Sequence, residues 1–179
     1  MKVFINPGHA LHGIPDPGAV NVNTGLREAD VTAAVGELVA EHLVEAGCEV
    51  CLMQSDDLEA VVDAANEAEA DIFVSIHCNA SGNSVAEGTE SWYCYGDTDG
   101  EFLAEFINDQ IVDSVGTWDR GVKCAVPGES GLYVLTNTDM PAVLVEMAFI
   151  SNYADEERLE ERQDEFARAI ARGITDYLQ

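Results

Sequence analysis

The sequence predicts an α/β domain of three layers: a twisted, mostly parallel sheet of about six strands, flanked by helices on both faces. Three observations carry that expectation. Short β-branched runs at Lys2-Val3-Phe4-Ile5, Ile72-Phe73-Val74-Ser75-Ile76 and Ala142-Val143-Leu144-Val145 read as strands buried on both faces. Segments of helical period separate the early strands, which is the βαβ signature of parallel pairing with right-handed crossovers. Each run also ends abruptly on a residue able to do chemistry: His9 after Asn6-Pro7-Gly8, His77 before Cys78-Asn79, and Glu146. Parallel neighbours place their carboxyl ends on one edge of the sheet, where α/β folds build their sites.

Taken in order, the first strand leads into a long loop, Asn6 to Arg27, rich in Gly, Pro and Asn. Loops of that length inside compact domains are usually functional. Asp30 is the expected N-cap of the first helix. Val31, Val35, Leu38, Val39, His42 and Leu43 then recur with helical period until Gly47 ends it. Glu49 to Met53 follows as a strand, and Leu58, Val61, Val62 and Ala65 stripe a second helix. After the strand that ends at His77 comes a Gly-Ser-Asn loop, and then Gly88 to Tyr95 as a further strand. Phe102, Phe106, Ile107, Ile111 and Val115 mark a third helix. Gly121 to Ala125 and Leu132 to Leu135 read as short extended pieces around the loop Pro127 to Gly131. Pro141 leads into the strand ending at Glu146, and Asp155 to Leu178 is expected as one amphipathic helix.

At 179 residues the chain is expected to be a single domain over 1–179, large enough to bury a core without disulfides. Eight Lys and Arg against 34 Asp and Glu give a net charge of -26. That surface repels phosphate backbones and anionic bilayers, so neither nucleic acid nor membrane is an expected partner. The acid is scattered rather than gathered in a tail, as a solvated face would be. Five dispersed cysteines suggest reduced thiols rather than a secreted disulfide framework. Cys48 and Cys51 have C-x-x-C spacing but sit where a helix runs into a strand, which turns them to opposite sides. No signal peptide and no membrane-length apolar run is expected, and the chain reads as a monomer.

A hydrolytic zinc site takes three ligands from His and carboxylate and keeps one position for water. His9 and His77 lie at strand ends on the same edge, and Glu28, at the end of the loop leaving His9, can fold back over it. A carboxylate near the metal-bound water but not on the metal supplies the general base. Glu146 fits, because an unpaired glutamate inside so apolar a strand is costly without a cationic neighbour. Alone, each residue reads more simply: His as a hydrogen-bonded structural residue, Glu28 as a favourable helix start. His12 sits in mid-loop with nothing to fix it, and His42 lies on a helix stripe.

The ordered set of motifs resembles the zinc-dependent N-acetylmuramoyl-L-alanine amidases of the type 3 family, which cleave peptidoglycan. Asn6-Pro7-Gly8-His9 is similar to the family's opening metal motif, with Asn6 in place of the more usual aspartate. Glu28 stands where the family's carboxylate ligand precedes its first helix. Asp71 to Ala80 is close to the family's most specific stretch. Gly88-Thr89-Glu90, Arg120-Gly121-Val122-Lys123, Leu132-Tyr133-Val134-Leu135, Met140 to Glu146 and Phe149-Ile150-Ser151-Asn152 follow in family order. Met147-Ala148 replaces the usual Thr-Gly, and Cys78 takes a place usually held by a small residue. The resemblance implies one Zn2+ per chain on His9, Glu28 and His77, with Glu146 as catalytic base. Its substrate is the amide between the lactyl group of N-acetylmuramic acid and L-alanine, and Asn79, Arg120 and Lys123 are candidate contacts to glycan or stem peptide. No regulatory helix is expected between His77 and Glu146, so the groove is expected to be open. An enzyme made in the cytoplasm and released onto the wall, as endolysins are, fits the absent leader; a processed fragment of a secreted enzyme gives the same sequence. Two rivals remain at this point: a zinc peptidase acting on sugar-free stem peptides, and a catalytically silent wall-binding module.

Overall fold

The computed structural model describes residues 1–129 and 132–178, so the last two positions of the loop beginning at Pro127 lie outside it. Among the described residues, six strands form one sheet: β1 (Lys2–Pro7), β2 (Glu49–Leu52), β3 (Ile72–Asn79), β4 (Thr89–Cys94), β5 (Asp119–Ala125) and β6 (Ala142–Phe149). Their order is β2-β1-β3-β6-β4-β5. β2, β1, β3 and β6 are parallel to one another, and β5 is parallel to β4. The β4–β6 pairing alone is antiparallel. The expected three-layer, mostly parallel architecture is therefore the one observed.

Alternation along the strands divides the core into two. Val3, Ile5, Val74, Ile76, Val143 and Val145 point to one face. There they meet α1 (Glu28–Glu45), α3 (Thr98–Val115) and α6 (Gln163–Tyr177). Phe4, Phe73, Ala142 and Leu144 point to the other face, toward α2 (Leu58–Glu67) and α4 (Tyr133–Asn137). Phe4 and Phe73 stack at 5.7 Å. The period-2 rule puts His77 and Glu146 on this second face, beyond the part of the sheet that α2 and α4 pack against. Cys48 and Cys51 are both half-buried and, like the other three cysteines, free.

Local choices differ from the sequence expectations at three places. α1 begins at Glu28, and Asp30 lies inside its first turn, where it pairs with Arg27. No side chain caps the helix. The loop supplies carbonyls instead: the Glu28 N–H bonds to Ala19 O and the Ala29 N–H to Pro17 O. Leu132 to Leu135 is not extended but feeds the short helix α4. There Thr136, Asn137 and Thr138 donate back to carbonyls of the preceding turn while Val134 and Leu135 bury. A run of four apolar residues suits either structure, and here the polar residues after it decide. The final helix is two: α5 (Tyr153–Glu161) and α6 break at Arg162. The Arg162 guanidinium donates to the carbonyls of Ser114 and Val115, closing the C-terminus of α3.

Candidate metal centre

The loop that follows β1 is folded back on itself by a single antiparallel bridge between Val20 and Arg27. That fold delivers Glu28 to the edge of the sheet, between the ends of β1 and β3. Glu28 is only 4% exposed, a depth at which a carboxylate must be fully partnered. Its Oε1 accepts the Cys78 backbone N–H at 2.9 Å and lies 3.0 Å from His77 Nδ1. Its Oε2 accepts the Ala19 N–H at 2.8 Å and lies 2.9 Å from His9 Nε2. The two imidazoles meet edge to face, with centroids 5.0 Å apart. One donor atom from each of His9, Glu28 and His77 falls within 4.8 Å of the others.

Two glycines make that approach possible. A Cβ on Gly8 would stand 2.3 Å from the His77 ring. A Cβ on Gly18 would stand 2.5 Å from His9 and 2.6 Å from Glu28. His9 itself holds a left-handed backbone, φ 71°, which non-glycine residues adopt at a cost.

Two imidazoles and a carboxylate are the donor chemistry of a divalent transition-metal site, and one buried atom tests the fit. His9 Nδ1 is taken by Asp16 Oδ2 at 2.7 Å, which leaves Nε2 to serve as ligand. That Nε2 is buried and makes no hydrogen bond, although Glu28 Oε2 is close. A nitrogen oriented by a carboxylate on its far side, free on its near side and crowded against two other donors, suits a cation. Electrostatics agree. Burial works against the charge on Glu28, but His77 and His9 outweigh it and hold the carboxyl well below its usual range. Burial also works against the His9 imidazolium, but Glu28 and Asp16 reverse it and raise the pKa to about 9. A cation entering this cluster must displace the His9 proton, so binding weakens as pH falls.

Glu146 sits in register with His77 on one side and with Glu90 on the other, across β3, β6 and β4. Its Oε2 is buried without a hydrogen-bond partner. Burial raises its pKa to about 7; His77 pulls down, while Glu28 and Glu90 push up. Glu90, 5% exposed, receives Arg120 Nε at 2.7 Å, Lys123 Nζ, and Trp92 Nε1 at 3.2 Å. A cavity of about 230 Å³ opens beside His9 and His77, lined by Asp16, Leu58, Tyr133 and Leu144 among others.

The structure thus brings His9, Glu28, His77 and Glu146 to one place. Arg120 and Lys123 stand two strands further on, on β5, and reach back to Glu90 on β4. Asn79 turns its side-chain oxygen to the N–H of Ala80. His12 is exposed and outside the cluster, and His42 pairs with Asp164 at 2.9 Å. Asp16 and Glu90 were not anticipated as site residues. For Glu90 a signal exists, since it is an acid inside the expected strand Gly88 to Tyr95, in the half that the structure buries. For Asp16 nothing local distinguishes it from any aspartate before a proline.

Asp16→Asn is expected to weaken divalent-metal affinity by about 10- to 100-fold, the usual cost of losing the carboxylate behind a ligating imidazole. Chelator competition against wild type measures it; equal affinities would remove Asp16 from the site.

A sequence profile described as N-acetylmuramoyl-L-alanine amidase matches residues 3–176. Over 98% of its length the chain is 44% identical to the uncharacterized protein YqiI of Bacillus subtilis, spanning 84% of that protein. It is 37% identical to the N-acetylmuramoyl-L-alanine amidase LytC of the same organism, of which it spans only 35%. The solved structure of the N-acetylmuramoyl-L-alanine amidase AmiC2 of Nostoc punctiforme superposes with a TM-score of 0.89 at 34% identity, covering 100% of this chain and 97% of that one. No helix among the described residues is long and apolar enough to cross a membrane.

Proposed function

This chain belongs to the N-acetylmuramoyl-L-alanine amidase family, and from that premise we propose that it hydrolyses the amide between the lactyl group of N-acetylmuramic acid and L-alanine, using one zinc ion held by His9, Glu28 and His77. The observation that carries the mechanism is Glu146: a carboxyl with one buried oxygen, Oε2, unpartnered among the described residues, kept in register beside the imidazole of His77. When bound, zinc supplies a Lewis acid for the scissile carbonyl and lowers the pKa of the attacking water toward about 7.

The chain's own residues supply the rest. Asp16 holds His9 in the tautomer that leaves Nε2 free. Glu28 orients both rings while the Cys78 and Ala19 N–H groups fix its own carboxylate. Glu146, in register beside His77, takes a proton from the water and passes it to the leaving L-alanine amine. Asn79, Arg120 and Lys123 are the proposed contacts to the substrate. α3 packs in the core on the opposite face from His77, which favours an open groove. The catalytic unit is proposed to act on the wall as a monomer.

Mass spectrometry of products from purified peptidoglycan tests this reading. New L-alanine amino termini on intact glycan strands are expected. Cleavage confined to sugar-free peptides would favour a peptidase instead, and wall binding without any lysis a silent module.

The net charge of -26 gives a separate expectation. Repulsion from anionic wall polymers is screened as the Debye length shrinks, from about 30 Å at 0.01 M to about 8 Å at 0.15 M salt. Wall lysis is therefore expected to rise with salt over that range; a steady fall would contradict it.

A further inference from the structure

Six of the eight Lys and Arg side chains each sit on an acidic partner that no other Lys or Arg shares, among the described residues. Arg120 and Lys123 do not: both converge on one oxygen of Glu90. In a chain of net charge -26, two cations sharing one ion-pair partner stand out. Their shared partner Glu90 stands in the same strand row as His77 and Glu146. Neutralising Glu90 needs one cation, and the second remains over.

Both cations are also held in place. The Arg120 guanidinium lies 4.8 Å from the centroid of the Phe149 ring, and Lys123 Nζ lies 5.3 Å from that of Trp92. Their side chains are still about a third exposed, 32% and 33%, so each keeps donors available to solvent. Glu90 therefore acts as an anchor that pre-orients two donors toward a third, incoming acceptor.

We propose that Arg120 and Lys123 form a carboxylate clamp for the stem peptide, reading the free carboxylate on the residue that follows L-alanine. The proposal rests on the amidase reading above. Reach selects the residue. Two strand spacings separate β3 from β4, roughly 10 Å. A carboxylate bonded to the clamp at about 3 Å then lies roughly 7 Å from the metal ligands, the span of about two extended residues. Walls differ in whether this residue carries a free carboxylate or a carboxamide. A carboxamide cannot accept charge-assisted bonds of the same strength. The clamp thus sorts walls by one functional group.

Two soluble muropeptides identical except for acid or amide at that position provide the test, with the zinc-loaded full chain. Wild type is expected to favour the acid by about tenfold in kcat/KM, the scale of one charged hydrogen bond. Lys123→Gln is expected to bring the acid-to-amide ratio of kcat/KM down to about one, and Lys123→Arg to restore it. The same preference is expected in calorimetric binding of the two peptides to zinc-loaded wild type. Equal cleavage of acid and amide by wild type would overturn the clamp and leave the amidase reading standing. Selective binding of the acid without cleavage would overturn the amidase reading and retain the clamp. A Lys123→Gln variant that slows both peptides equally would also overturn it.

Discussion

Glu146→Gln is expected to keep wild-type zinc content while wall lysis falls by about 10²- to 10⁴-fold, the range that one positioned general base contributes. The substitution preserves shape and removes the only function proposed for that side chain. Zinc analysis of the purified variant beside turbidity loss of wall suspensions measures both; retained lysis would eliminate Glu146 as the base. The same variant reports on the cost of the site. In solution this carboxyl ionises near its usual value, but burial delays ionisation in the fold until about pH 7. The unfolded chain thus releases the proton first, and the metal-stripped fold loses stability as pH rises from about 4.5 to 7. Glutamine carries no such penalty. Stripped Glu146→Gln is expected to melt a few degrees above stripped wild type at pH 8 and level with it at pH 4. A gain of equal size at both values would mean that packing, not charge, is responsible.

Glu28→Ala has the second large expected effect, and it strikes metal and fold together. The carboxylate is a proposed ligand, the acceptor for two backbone N–H groups and the counter-charge to two imidazoles. Zinc stoichiometry is expected to drop from about one to near zero and lysis with it. Stability of the metal-free chain is expected to fall by on the order of 3 kcal/mol, as when one member of a buried ion pair is removed. Chemical denaturation measures the second effect without reference to metal. A variant that still takes up a full equivalent of zinc would remove Glu28 from the ligand set.

Much of this was legible before any coordinates. Buried parallel strands announce themselves as continuous apolar runs, so β1, β3 and β6 stood out, and with them the row that ends on His77 and Glu146. Glu28 was harder, because its place depends on how a loop of twenty-odd residues folds, and that fold is set by carbonyls of Pro17 and Ala19 rather than by a side-chain motif. The short helix at Tyr133 and the break at Arg162 depart from the sequence expectation for one reason. Each is decided by long-range or neighbouring hydrogen bonds, not by hydrophobic period. Asp16 and Glu90 were passed over because their importance lies in what they touch.

The reversal of β4 relative to β6 has a consequence of its own. The proposed metal ligands come from the trailing ends of β1 and β3 and from the start of α1, whereas Arg120 lies just after the leading end of β5. The proposed ligands and the proposed clamp are thus carried by separate stretches of chain, joined across β6 by the pairing of Glu146 with His77 and with Glu90. Mutations in one leave the other's backbone untouched, so a lineage could change its diet while its chemistry stands still.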